Sequence, residues 1–81
     1  MQMIYNSPNY CVVEFKDIEG SAGGFEIVDK TARREIFIDG VMASQFRVDV
    51  SELIEGEPSI EEVDDFLSQF EGLMQQPVTL H

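Results

Sequence analysis

Near residue 40 the spacing of apolar residues changes from strand-like to helix-like, and no other feature constrains the fold so tightly. Before it, short runs rich in β-branched and aromatic residues are separated by turn signals. Residues 1–6 and 10–15 read as two strands joined by Asn6-Ser7-Pro8-Asn9, where proline presets φ and the Asn and Ser side chains bond locally to backbone. Residues 25–30 and 34–39 read as a second hairpin turning at Thr31-Ala32-Arg33. Between the pairs, residues 16–24 hold three glycines and little apolar content, which marks a loop.

From residue 40 onward, Met42, Ala43, Phe46, Val50, Leu53 and Ile54 share one face of a helix over 40–55. Asp39 is its candidate N-cap, and Gly56, with Pro58 beyond, is placed as a left-handed stop. Ser59-Ile60-Glu61-Glu62 matches a capping box, and Ile60, Val63, Phe66, Leu67, Phe70, Leu73 and Met74 carry a second apolar stripe toward Pro77. A short connection sets the two helices antiparallel. Strands first and helices afterwards indicate an α+β layer, not βαβ crossovers. The expectation is one domain over 1–81: a four-stranded antiparallel sheet of two hairpins (1–39), an antiparallel two-helix pair on one face (40–76), and a tail (77–81).

Charge divides at nearly the same place. All five basic residues lie at or before Arg47, whereas nine of the sixteen acids follow it without a base among them. The net charge of −11 disfavours bare nucleic acid, where phosphate contacts dominate affinity, and anionic membrane. No apolar run reaches the roughly 18–20 residues of a membrane span, and the first ten residues lack the form of a signal peptide. With one cysteine, Cys11, this reads as cytoplasmic. A chain this short buries only about 60–65% of its unfolded surface. With no intramolecular disulfide possible and the terminal His81 its only histidine, a disulfide or structural zinc cannot compensate, which leaves oligomerisation as the remaining route, though many domains of about this size also fold alone.

Strict alternation would put Met3, Tyr5, Cys11, Val13, Phe15, Phe25, Ile27, Ile36 and Ile38 beneath the helices. The opposite face would then show an apolar band of Ile4, Val12, Val28 and Phe37, a candidate interface for a second copy or another protein. The competing reading is ordinary scattered surface hydrophobes.

No catalytic constellation is visible. Cys11 has no internal histidine beside it and reads as a buried structural thiol. Glu61, Glu62, Asp64 and Asp65 crowd the start of the second helix, where the helix dipole favours negative charge without any metal. The glycines at 20–24 lack the phosphate-loop pattern and precede a strand. Lys30, Arg33 and Arg34, at a hairpin tip, are candidates to contact an acidic partner, or else solvated turn residues. No cofactor, metal or catalytic residue is assigned.

The segments MQMIYNSPNYCVVEF, GGFEIVDKTARREIFIDG, LIEGEPSIEEVDDF and LMQQPVTLH resemble a family of short uncharacterised bacterial proteins, a domain-of-unknown-function family associated with beta-proteobacteria. The resemblance covers essentially the whole chain, with 16–22 least alike. It implies a stand-alone short cytoplasmic protein ending naturally at Val78–His81, and no activity or site residue carries over. The leading expectation is a non-enzymatic interaction module that self-associates as a dimer. One alternative is an acidic decoy or regulator of a basic nucleic-acid-binding protein. Another is a weak divalent-metal or small-ligand binder, for instance among Glu14, Glu26 and Glu35.

Overall fold

A computed structural model describes residues 2–16, 23–74 and 76–77. The Gly-rich segment 17–22 and the tail 78–81 lie outside the described residues. Four strands form where expected: β1 (Gln2–Asn6), β2 (Tyr10–Phe15), β3 (Gly24–Asp29) and β4 (Arg34–Asp39). They are followed by α1 (Gly40–Glu55) and α2 (Ile60–Ser68). A fifth strand, β5 (Gln76–Pro77), pairs antiparallel with β4, so the sheet runs in the order β1-β2-β3-β4-β5 and is not confined to residues 1–39.

Local chemistry closes both hairpins. Ser7 N–H donates to the Tyr10 carbonyl at 2.8 Å, and Ser7 Oγ accepts from the N–H of Tyr10 at 3.0 Å and of Asn9 at 3.2 Å. One side chain thus satisfies the backbone of a turn that buries it. In the second hairpin Asp29 Oδ1 accepts from the N–H groups of Thr31 and Ala32, each at 3.0 Å, and Arg33 takes φ 56°. Lys30 N–H donates to Asn9 O at 2.9 Å, tying the two turns together.

α1 follows β4 without a loop because Gly40, at φ +58°, supplies the abrupt change of direction that a side chain would resist. Asp39 stands at the N-cap position, but its side chain makes no cap bond. Gly56 is not left-handed: it sits at φ −81°, ψ 4°, and the positive φ falls on Glu57 at 51°. Ser59 caps α2 as expected, accepting from Glu62 N–H at 3.2 Å, while Glu62 Oε1 accepts from the Ser59 hydroxyl at 3.4 Å in place of reaching back to backbone. α2 is shorter than its stripe. It ends at Ser68, and the chain tightens into a 3-10 turn over Glu71–Leu73. Gly72 lowers the helical preference there, and the tighter turn precedes a buried Met74 and the return to the sheet at Gln76.

The core lies between the sheet and the helices. It contains Tyr10, Val12, Phe25, Ile27, Ile38, Ala43, Phe46, Leu67 and Met74. Phe46 is its hub, with ring centroids 4.8 Å from Phe25, 5.9 Å from Phe66 and 5.4 Å from Phe70. Burying each large apolar side chain contributes about 1.5–3 kcal/mol.

The pairing register corrects the face assignment of β2. Val12 stands opposite Ile27, and Ile27 opposite Ile36. The face beneath the helices therefore carries Tyr10 and Val12, and Cys11, Val13 and Phe15 turn away. The segment YCVVEF is apolar at both parities, so alternation within it could not decide which side faces the helices. Pairing with the unambiguous β3 decides it, because cross-strand partners share a face. A second departure lies in β1. Met3 pairs with Val13 but Tyr5 with Val12, leaving Ile4 as the extra residue of a β-bulge.

Candidate interaction surfaces

The face of the sheet turned away from the helices is the first surface. One cross-strand row runs Met3–Val13–Glu26–Phe37, the next Asn6–Cys11–Val28–Glu35, and a third Phe15–Gly24–Asp39. Phe37 is 52% exposed and Met3 56%. The Phe37 ring meets Phe15 edge-on at 5.7 Å and lies over Gly24, where an added Cβ would sit 2.7 Å from Phe37 Cζ and 2.4 Å from Ile38 O. Glycine is needed at that close approach of strand and ring. Cys11 is buried on this face, where burial pushes its thiol up, with Glu26 adding to the rise and Lys30 opposing it. A raised thiol is a poor nucleophile.

Of the four residues proposed as one apolar band, Val28 and Phe37 share this face. Val12 does not: it is 2% exposed, in the core. Ile4 lies at the bulge and lines an apolar groove with Tyr5, Val12, Val50, Leu53 and Ile54. The band therefore does not form. Met3, Val13 and Phe15 take its place, following from the corrected β2 register. A sequence signal for them existed in the two-sided apolar character of β2.

The second surface is acidic. Asp29, Glu61, Asp64, Asp65 and Glu71 line an open groove of ≈ 590 Å³ between the β3–β4 turn and α2. Two of these carboxylates also fasten α2 and its extension to the sheet. Asp64 accepts from the hydroxyl of Tyr5 at 2.8 Å, from Ser7 Oγ at 2.9 Å and from Asn9 Nδ2 at 2.9 Å. Burial is the largest single influence on Asp64 and raises it, but the donors Asn9, Tyr5 and Ser7 together outweigh burial and hold the carboxyl below its usual range. Tyr5 and Tyr10 are both pushed up, first by burial and then by the carboxylates of Asp64 and Glu71 that accept hydrogen bonds from their hydroxyls. The Tyr10 hydroxyl donates to Glu71. Sequence reasoning saw Asp64 only as one of several acids near a helix start, because its donors lie 55 or more positions away.

The basic tip is split. Lys30 Nζ turns back to Asn6 Oδ1 and the Ser7 carbonyl, the latter at 2.8 Å, while Arg33 and Arg34 are exposed. The ion pair Arg47–Glu14, at 2.7 Å, joins α1 to β2, with the guanidinium 4.9 Å from the Phe25 ring centroid. Among the described residues no group of three or more His, Cys, Asp or Glu side chains has the arrangement to hold a metal ion, and no helix is long and apolar enough to cross a membrane. Glu14, Glu26 and Glu35 do not converge: Glu14 lies on the helix side of the sheet by register, and Glu26 and Glu35 on the other.

Fold and surfaces together define a small antiparallel α+β protein whose sheet is covered by two helices on one side, with a part-apolar second face that no described element covers and an acidic groove. The chain belongs to the family described as Protein of unknown function (DUF3567), which matches residues 1–81. A protein of the beta-proteobacterium Burkholderia thailandensis, whose name describes no activity, is 64% identical over 85 residues covering 100% of both chains. No solved structure matches.

Proposed function

We propose that this protein is a non-enzymatic interaction module of the cytoplasm that associates with a second copy of itself and with another protein. One observation carries the reading: two helices cover one face of the sheet, and the other face presents Met3, Val13, Phe15, Val28 and Phe37 where a solvated sheet would alternate to polar residues. The apolar groups are interrupted by Glu26 and bordered by Glu35 and Asp39, and exposed apolar groups of this kind beside charge are a mark of a protein contact. The test is affinity capture with mass spectrometry, together with light scattering, on the wild type and on Phe37→Ser, which removes the most exposed ring without entering the core. Loss of the captured partner in the variant supports the reading. Capture and mass both unchanged would overturn the role of this face.

The acidic groove favours a second reading, in which a basic segment of another protein lies along Asp29, Glu61, Asp65 and Glu71. Such binding would weaken steeply with salt, because exposed charges more than about 10 Å apart are screened near 0.1 M. Capture of basic proteins that persists at high salt contradicts it.

A further inference from the structure

We infer that the apolar groove between β1, α1 and α2 is a docking site for a basic segment of another protein. The segment seats one apolar side chain in the groove and sets its lysines or arginines against the acidic connection between α1 and α2. The site is distinct from the outer face of the sheet and from the acidic groove beside the β3–β4 turn.

The groove is a hollow of ≈ 80 Å³. Its walls include Ile4 and Val12 from the sheet, Leu53 and Ile54 from the last turn of α1, and Val63 and Phe66 from α2. Among the lining side chains Tyr5 alone carries a polar atom, and its hydroxyl already donates to Asp64. The part of an occupant that enters is therefore apolar. Size decides what kind of occupant it is. Sites for drug-sized ligands run to about 300–1,000 Å³, and a dry apolar cavity of about 150 Å³ takes up benzene. This hollow is smaller than either and suits one aliphatic side chain belonging to a larger molecule. Ile4 and Ile54, 41% and 61% exposed, form a rim that the chain around such an anchor would cover. An anchor in a pocket, ringed by contacts that exclude water, is how protein interfaces concentrate their binding energy.

Charge selects what flanks the anchor. Leu53 and Ile54 stand at the end of α1 and Val63 near the start of α2, so the connection between the helices borders the hollow. Glu55 follows Ile54 in the chain, Glu57 N–H donates to the Ile54 carbonyl at 3.0 Å, and Glu62 precedes Val63. All three glutamates are exposed, and among the described residues none of them is in an ion pair. No lysine or arginine follows Arg47, which is itself bound to Glu14. An anchor flanked by acids would bring like charges together here, whereas one flanked by lysine or arginine meets opposite charge. Complementarity of this kind chooses partners and speeds their encounter. A second copy is the wrong occupant, because it brings a net charge of −11 to the same acids. The two grooves can also be altered separately. Val63 and Phe66 of α2 line this one, and Glu61, Asp65 and Ser68 line the other.

The experiment is fluorescence anisotropy with three labelled synthetic peptides: an amphipathic Lys/Leu peptide, the same peptide with Ser for Leu, and the same peptide with Glu for Lys. The full chain is titrated as wild type, Val63→Phe, Ile54→Ser, the double variant Glu55→Gln with Glu57→Gln, Phe37→Ser and Asp65→Asn, with circular dichroism to verify folding. Val63→Phe fills the hollow without changing charge. Ile54→Ser strips the rim at an exposed residue and carries the test if the filled variant misfolds. The wild type should bind the Lys/Leu peptide and bind either altered peptide about tenfold more weakly or worse. Val63→Phe and Ile54→Ser should weaken the Lys/Leu peptide by a similar factor, and the double glutamine variant should weaken it and flatten its salt dependence. Phe37→Ser and Asp65→Asn should bind as the wild type does. No binding of the Lys/Leu peptide by the wild type overturns the inference. So does equal binding of the Lys/Ser peptide, which would mean charge alone, or binding that survives both Val63→Phe and Ile54→Ser. If Asp65→Asn abolishes binding while Ile54→Ser leaves it, the basic segment lies in the other groove and this site is wrong. A two-chain mass by light scattering that Ile54→Ser reduces to one chain makes a second copy the occupant and overturns the partner named here. Loss of association in Phe37→Ser alone bears on the outer face and leaves this site standing only if the Lys/Leu peptide still binds.

Discussion

The two faces of one sheet are built from nearly the same residue types and have different fates. Beneath the helices, Phe25, Ile27 and Ile38 are at most 2% exposed, and Phe46 plugs the space above them. On the other side Val13, Phe15 and Val28 are half-buried only by their neighbours, and Phe37 is largely open. Composition does not separate the faces. The difference is that α1 and α2 lie over one of them, so one set of apolar groups already has its partner and, among the described residues, the other does not. Stability should therefore be concentrated on the covered face and association on the open one.

Removing the hub tests this division most severely. Phe46→Ala leaves a hole among Phe25, Phe66 and Phe70 and should cost about 3–5 kcal/mol, a large part of the stability of so small a protein. Urea unfolding reads it directly, and a loss under about 1 kcal/mol would mean the helices do not cover the sheet as described.

A matched pair of substitutions in neighbouring positions sharpens the comparison. Val12→Thr places a hydroxyl in the core and should cost about 1–3 kcal/mol, whereas Val28→Thr, on the open face, should cost well under about 1 kcal/mol. Equal costs would return β2 to the opposite parity.

A third test concerns the polar fastening of α2. Asp64 is held below its unfolded value, so its contribution is present above the unfolded pKa and is lost as pH falls through the lower folded pKa. Asp64→Asn should lose about 1–2 kcal/mol near neutrality and show a flatter decline in stability on acidification. Thermal melts at several acidic pH values test this, and parallel pH profiles for variant and wild type would remove Asp64 from the account.

The strands, the capped start of α2 and the two turns were legible because each rests on local chemistry. Ser59 caps α2, Ser7 and Asp29 close their turns, and β3 alternates without ambiguity. The orientation of β2 was not legible, since Tyr10, Cys11, Val12 and Val13 offer an apolar residue to either side. The bulge at Ile4 was hidden for a related reason: a register slip is a property of two strands, not of one. The early end of α2 was masked by an apolar stripe that continues through Phe70 and Met74 into a different turn.

The acidic half divides in the same way. That negative charge gathers at the start of α2 follows from the chain alone, because a capped helix start stabilises it. That Asp64 ties this helix to the first hairpin, while Asp29 from another strand borders the same groove, was decided by folding. By itself the sequence determined the periods, the cap of α2 and the turns, which depend on residues within a few positions of one another. The tertiary structure decided which face the helices cover and which carboxylates converge, because these depend on pairings between residues far apart in the chain.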